Sequence, residues 1–114
     1  MMDFKLLGIG EAIRAIGELS HIVSPEMAKV VKKSGAELQQ KEKRTVPVDT
    51  GNLRRSILLT VEDRGMTATV EPTADYAGYV EYGTRFMGAK PYVRPSYEKQ
   101  KEIFMKDMKK YIKR

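Results

Sequence analysis

The 114-residue chain carries 41% hydrophobic and 32% charged residues, with no cysteine and no tryptophan. That length supports one domain over residues 1–114 and leaves no material for a second core. The missing thiols exclude a disulfide framework, a thiolate zinc site and a cysteine nucleophile, while 21 Lys and Arg against 15 Asp and Glu give a formal charge of +6.

The N-terminus reads Met1-Met2-Asp3-Phe4-Lys5, with an acid where a signal peptide carries its bases, so a mature N-terminus is expected. No uncharged stretch approaches the ~18–20 apolar residues that span a bilayer. Leu6, Ile9, Ile13, Ile16, Leu19 and Val23 recur at spacings of three and four, which predicts a first helix. Ser24-Pro25-Glu26 then gives a helix start: a hydroxyl cap, proline at the first helical position, and an acid in the first turn. Met27, Val30, Val31, Ser34 and Leu38 carry the buried stripe of this second helix toward Lys43. Its end, Gln39 to Arg44, is polar all round and is expected to stand proud of the core or meet another subunit.

Pro47 stops that helix and turns Val46 extended. From Leu53 the period becomes two: Ile57, Leu59 and Val61 alternate with Ser56, Leu58 and Thr60, and residues 67–71 repeat the pattern. Asp63-Arg64-Gly65-Met66 lies between, which predicts a β-hairpin ended by Pro72. Asp75 to Gly83 suits a short helix with Asp75 as cap and Gly83 just beyond its end. A loop with Gly88 follows, then an extended Pro91-Tyr92-Val93-Arg94, and Pro95 opens a last helix with Tyr97, Lys101, Phe104, Met108 and Tyr111 as its stripe. Seven bases against three acids lie between Glu98 and Arg114, and a solvated basic helix end is the first reading of that run. The fold class expected is α+β: N-terminal helices, a central antiparallel hairpin or small sheet, a short helix and a C-terminal helix.

Asp49-Thr50-Gly51 is the catalytic triplet of aspartic proteases, in which two aspartates share a proton across a dyad. Here it follows Pro47 at a helix end rather than a hydrophobic strand, and Asn52-Leu53-Arg54 follows it. A side-chain-to-backbone turn is the better reading, with Gly51 taking a conformation other residues resist. His21 is the single histidine, so neither a His–His metal pair nor a Ser–His–Asp triad forms within one chain. Gly8-Ile9-Gly10 lacks the third glycine and preceding strand of a dinucleotide site. No catalytic, cofactor-binding or metal residues are assigned. Tyr76, Tyr79, Tyr82, Phe86 and Tyr92, with Arg85, Lys90 and Arg94, read as core or protein interface ahead of a base-stacking platform.

Three segments taken in order carry a resemblance: Pro47 to Ile57, Tyr76 to Thr84, and Ala89 to Ser96. Together, after a helical region and before a C-terminal helix, they resemble the small neck or tail-completion proteins of long-tailed bacteriophages and prophages, the HK-ninety-seven gene-product-ten family. Tyr92 and Ser96 stand where that pattern more often has Phe and Ala. The resemblance implies a structural virion protein of the neck or tail, assembled in the host cytoplasm, not an enzyme and without cofactor. It implies a ring of copies around the DNA channel, in contact with a head-side connector or stopper and with tail-tube or tail-terminator proteins, close to duplex DNA but reading no sequence. A heterologous contact whose rotation closes gives such a ring. Asp49, Thr50 and Gly51 then shape the turn before the first strand, and Arg54, Arg55, Tyr79, Glu81, Tyr82, Gly83, Thr84 and Arg94 are the candidate interface. The alternative function is a small basic nucleic-acid-binding protein.

Overall fold

The structure is a computed structural model that describes residues 10–14, 25–46, 51–83, 85 and 88–112, of the last two the backbone alone. Its elements in chain order are β1 (Glu11–Arg14), α1 (Pro25–Thr45), α2 (Asn52–Arg55), β2 (Ile57–Glu62), β3 (Thr67–Pro72), α3 (Ala77–Tyr82) and α4 (Val93–Ile112). The class is α+β, as the patterning requires. The strands form one antiparallel sheet in the order β1-β3-β2.

The first departure from the periodicity is β1. Ile13 sits in a strand, not a helix, paired with Ala68 while Glu11 pairs with Val70. The rest of the expected first helix lies outside the described residues. A run as short as Glu-Ala-Ile-Arg has no decisive preference of its own, and the exposed edge of β3 supplies the partner that decides it. The hairpin follows the alternation, with Leu59 opposite Val70 and Val61 opposite Ala68. Its first strand begins at Ile57 rather than Leu53, because residues 52–55 close one helical turn in which the Arg55 amide donates to the Gly51 carbonyl at 2.9 Å.

The hairpin turn asks more than one glycine. Asp63, Arg64 and Gly65 all have positive φ, at 57°, 58° and 90°. Each non-glycine residue there costs roughly 1–2 kcal/mol. Asp63 offsets part of this: its Oδ2 accepts from Thr67 Oγ1 at 2.7 Å and from Arg14 at 3.2 Å.

α1 starts at Pro25, as the capping signature predicts, and lies across the sheet. α4 runs antiparallel to it: Lys41 meets Gln100, Thr45 meets Ser96 and Lys33 meets Asp107. α4 reaches the sheet chiefly at β1, whereas α1 covers β2 and β3. Met27, Val31, Leu38, Leu53, Ile57, Ala68, Val70, Phe104 and Met108 form the common core. α4 begins two residues ahead of Pro95, so Val93 and Arg94 are helical rather than extended. Its buried stripe takes Gln100 in place of Lys101, which is exposed.

Gly35 sets how closely α1 approaches the sheet. A Cβ built there would lie 2.7 Å from the Ala68 Cβ and 2.9 Å from Leu59 Cδ1. Gly35→Ala therefore lowers stability by about 1–3 kcal/mol through overpacking, against the ~1 kcal/mol that alanine gains in a helix. Urea unfolding checks it, and Gly35→Ala combined with Ala68→Gly should recover most of the loss.

Candidate functional site

The segment between α3 and α4 is organised by one carboxylate. Gly83 ends α3 at φ 82°, a conformation that favours glycine, and its amide donates to the Tyr79 carbonyl at 2.7 Å. Glu81, two residues earlier, points inward. Its Oε1 accepts the backbone N–H groups of Tyr92 and Val93 at 2.9 and 3.0 Å, and Oε2 accepts that of Arg94 at 3.1 Å. These are the amides that a helix start leaves without intrahelical partners, and the carboxylate also complements the positive end of the helix dipole. The Lys90 amide adds a bond to the Val80 carbonyl at 2.8 Å. The connection is thus bound back to α3 where it enters α4.

Beside this clamp lie further buried polar groups. Glu42 has no exposed surface, and neither of its carboxylate oxygens has a hydrogen-bond partner among the described residues. Glu11 Oε1 and the Tyr92 hydroxyl are likewise buried and unpaired. Burial pushes the Glu42 carboxyl up to about 9, with the charges of Glu11 and Glu81 adding to the shift. Burial also raises Glu11 to about 7, against the opposing pull of the Arg94 guanidinium, with Glu81 and Glu98 raising it further. The Tyr92 hydroxyl moves up for the same first reason, with Glu42 and Glu81 contributing. Glu42 is therefore a neutral acid at pH 7. Burial of these carboxyls couples their protonation to the stability of the fold.

The polar end of α1 does not stand proud. Gln39 Nε2 donates to the Ile57 carbonyl at 2.9 Å, Lys41 Nζ donates to Gln100 Oε1 at 2.7 Å, and Glu42 is core. The sequence contained a trace of this: Glu42 continues Ser34 and Leu38 at intervals of four. Nothing about its residue type announced it. Glu11 was equally hidden until pairing placed it on the helix-facing side with Ile13.

The predicted interface residues divide. Tyr79 and Tyr82 are 61% and 50% exposed on α3, and Arg54, Arg55 and Arg94 are also exposed. Arg54 Nε donates to the Lys43 carbonyl at 3.0 Å, tying α2 to the end of α1, and Arg94 lies 4.0 Å from Glu98. Glu81 is spent inside the subunit. Gly51 has the expected positive φ of 83°; Asp49, Thr50, Thr84, Phe86 and His21 lie outside the described residues. Tyr76, not Asp75, occupies the cap position of α3 and makes no side-chain cap bond. Tyr92 is buried, and Tyr76 packs against the core. Among the described residues, no group of three or more His, Asp or Glu is arranged to hold a metal ion, and no helix is long and apolar enough to cross a membrane.

The family model described as "Bacteriophage HK97-gp10, putative tail-component" matches residues 10–83. The chain belongs to this family. The matched region of this tail-component member runs from β1 through α3, so it takes in the whole sheet, α1 and the Gly51 turn. It stops short of α4 and of the Ala89 to Ser96 segment. No curated protein and no solved structure matches the chain.

The buried acids fix a pH dependence. Glu42 holds its proton up to about pH 9 when folded but only to its ordinary 4.5 when unfolded, so stability falls as pH rises through that window. At pH 7 the loss relative to pH 4.5 is about 3 kcal/mol at about 1.4 kcal/mol per pH unit. Glu11 contributes with the same sign between 4.5 and about 7. Glu42→Gln should flatten the slope, raising the thermal midpoint over the parent at pH 8 by more than at pH 5. Unfolding curves at pH 5, 7 and 8.5 test this; a variant that tracks the parent at all three would refute the buried neutral acid. Glu81→Gln, by weakening three amide bonds, should cost about 1–3 kcal/mol at pH 7, read by urea unfolding.

Proposed function

We propose that this chain is a structural, non-enzymatic component of the bacteriophage neck or tail end, a subunit of a ring around the DNA channel that helps join head to tail. The observation that carries the reading is the match to a phage tail-component family over residues 10–83. The subunit's form supports it. A closed ring needs two unlike surfaces on each copy that fit one another. One flank here is the outer edge of β2, which pairs with no further strand among the described residues and where Leu58 and Val61 are 52% and 41% exposed. The opposite flank is the outer side of α4, carrying Met105 among Lys101, Lys106 and Lys109. Exposed apolar side chains on a sheet edge invite pairing or cover.

The aromatic face of α3, with Tyr79 and Tyr82, and the arginines of α2 are the further contact residues of this reading. Their partners are neighbouring copies, a head-side connector or stopper, and a tail-tube or tail-terminator protein, within a virion assembled in the host cytoplasm. DNA passes without base readout, since phosphate contacts alone carry no sequence information.

Particles made without this chain should accumulate finished heads and separate tails in negative-stain images. Intact infectious particles in that deletion would end the assignment. Tyr79→Ala, at an exposed position, should change subunit stability by no more than about 0.5 kcal/mol while reducing the yield of joined particles in complementation.

A further inference from the structure

The end of α1 and the start of α4 enclose a hollow of about 360 Å³ lined by Lys41, Arg44, Lys99, Thr45, Ser96 and Tyr92, with two prolines completing the wall. Three cations face it, and among the described residues no carboxylate lines it. We propose that this hollow binds phosphate groups of a nucleic-acid backbone, those of duplex DNA. The inference is separate from ring formation, because a single subunit supplies every lining residue.

The positive charge here comes from side chains alone. The first amides of α4 are already held by Glu81, so the helix end has little left for an anion. Lys41 is set in place: its Nζ donates to Gln100 Oε1 at 2.7 Å, and Gln100 Nε2 donates to Glu37 Oε1 at 2.9 Å. Gln100 is fully buried, so this chain of bonds fixes the ammonium before any ligand arrives. The Thr45 and Ser96 hydroxyls lie 3.3 Å apart on the wall and can turn toward an anion's oxygens. Of the acids beside these cations, Glu42 is turned inward and held neutral by burial, and Glu98, next to Lys99, lies 4.0 Å from Arg94.

The choice of a backbone phosphate over an isolated anion rests on the surface that continues from the hollow. Lys99, Lys106 and Lys110 recur at intervals of seven and four, which aligns them along α4, with Lys106 at the border of the flank that carries Met105. A row of cations fits the regularly spaced charges of a polyanion, and a single small anion has no use for it.

Fluorescence anisotropy with a labelled duplex of about 20 base pairs, between 50 and 200 mM salt, tests the proposal. Arg44→Gln/Lys99→Gln should weaken binding about tenfold at 50 mM salt and lower the logarithmic salt slope by about 2. Lys101→Gln/Lys109→Gln removes the same charge from the other flank of α4 and should change affinity less than threefold. All four positions are exposed, so both double variants should keep the parent's thermal midpoint. Equal weakening by the two pairs would mean bulk charge alone, and would overturn the site, as would absence of duplex binding by the parent. Inorganic phosphate at millimolar concentration is the second arm, read by NMR on the Thr45 and Ser96 amides. Shifts with the duplex support the proposal; shifts with phosphate but not with the duplex assign the hollow to a free anion and overturn it.

Discussion

Everything on the α3–α4 side of the molecule turns on a single carboxylate accepting three consecutive backbone amides. Glu81 reaches from α3 to Tyr92, Val93 and Arg94, and without it the first turn of α4 would end in buried, unpaired donors. Each charge-assisted bond contributes about 1.5–3 kcal/mol at most, yet its structural leverage is larger. It sets where α4 begins, hence which residues of α4 face α1, and so the register that pairs Lys41 with Gln100 and Thr45 with Ser96. The tyrosines of α3 and the basic side of α4 are held in one rigid relation by the same contact.

That clamp explains the environment of its neighbours. A carboxylate satisfied by three amides is a buried negative charge, and two further carboxyls lie close enough to feel it. Keeping several such groups ionised together in a poorly solvated interior is prohibitive. The resolution is protonation: Glu42, with no donor among the described residues to stabilise its charge, stays neutral, while Glu11 sits near its midpoint at pH 7 with Arg94 opposing the effect of burial. An apolar residue in place of Glu42 would avoid the cost altogether, so its presence marks a position where stability has not been maximised.

The parts of the fold that were legible in the sequence are those where local chemistry and tertiary packing agree. Pro25 after Ser24 marked the start of α1 to the residue, Gly51 marked a positive φ and Gly83 the end of α3, and the alternation through Ile57 and Leu59 marked the inward face of β2, although Val61 in the same register is 41% exposed. β1 was misread because Ile13 fits a helical stripe and a strand equally well, and only the partner edge of β3 chooses between them. The start of α4 was misplaced by two residues because proline at 95 looks like a first helical position, whereas the Glu81 clamp lets the helix begin earlier. Tyr79 and Tyr82, read from residue type and spacing as core or interface, are exposed on α3. The acids did not: a buried glutamate is spelled like a solvated one, and Glu42 lies among Lys41, Lys43 and Arg44, where every surface rule expects ion pairs.

Inside and outside are linked through that same stretch of α1. Counted by formal charge, Lys41-Glu42-Lys43-Arg44 is a mixed segment in which one acid offsets part of the basic excess. Folding withdraws Glu42 from solvent and neutralises it, so the surface presents only the three bases. The interior cost of an unpaired acid and the positive character of the hollow between α1 and α4 therefore have one origin. Raising the pH toward 9 would ionise Glu42 on the inner side of the same stretch, close to Glu11 and Glu81. The new charge would add to those of Glu11 and Glu81 and strain the core, so the subunit's stability should decline as that window is crossed.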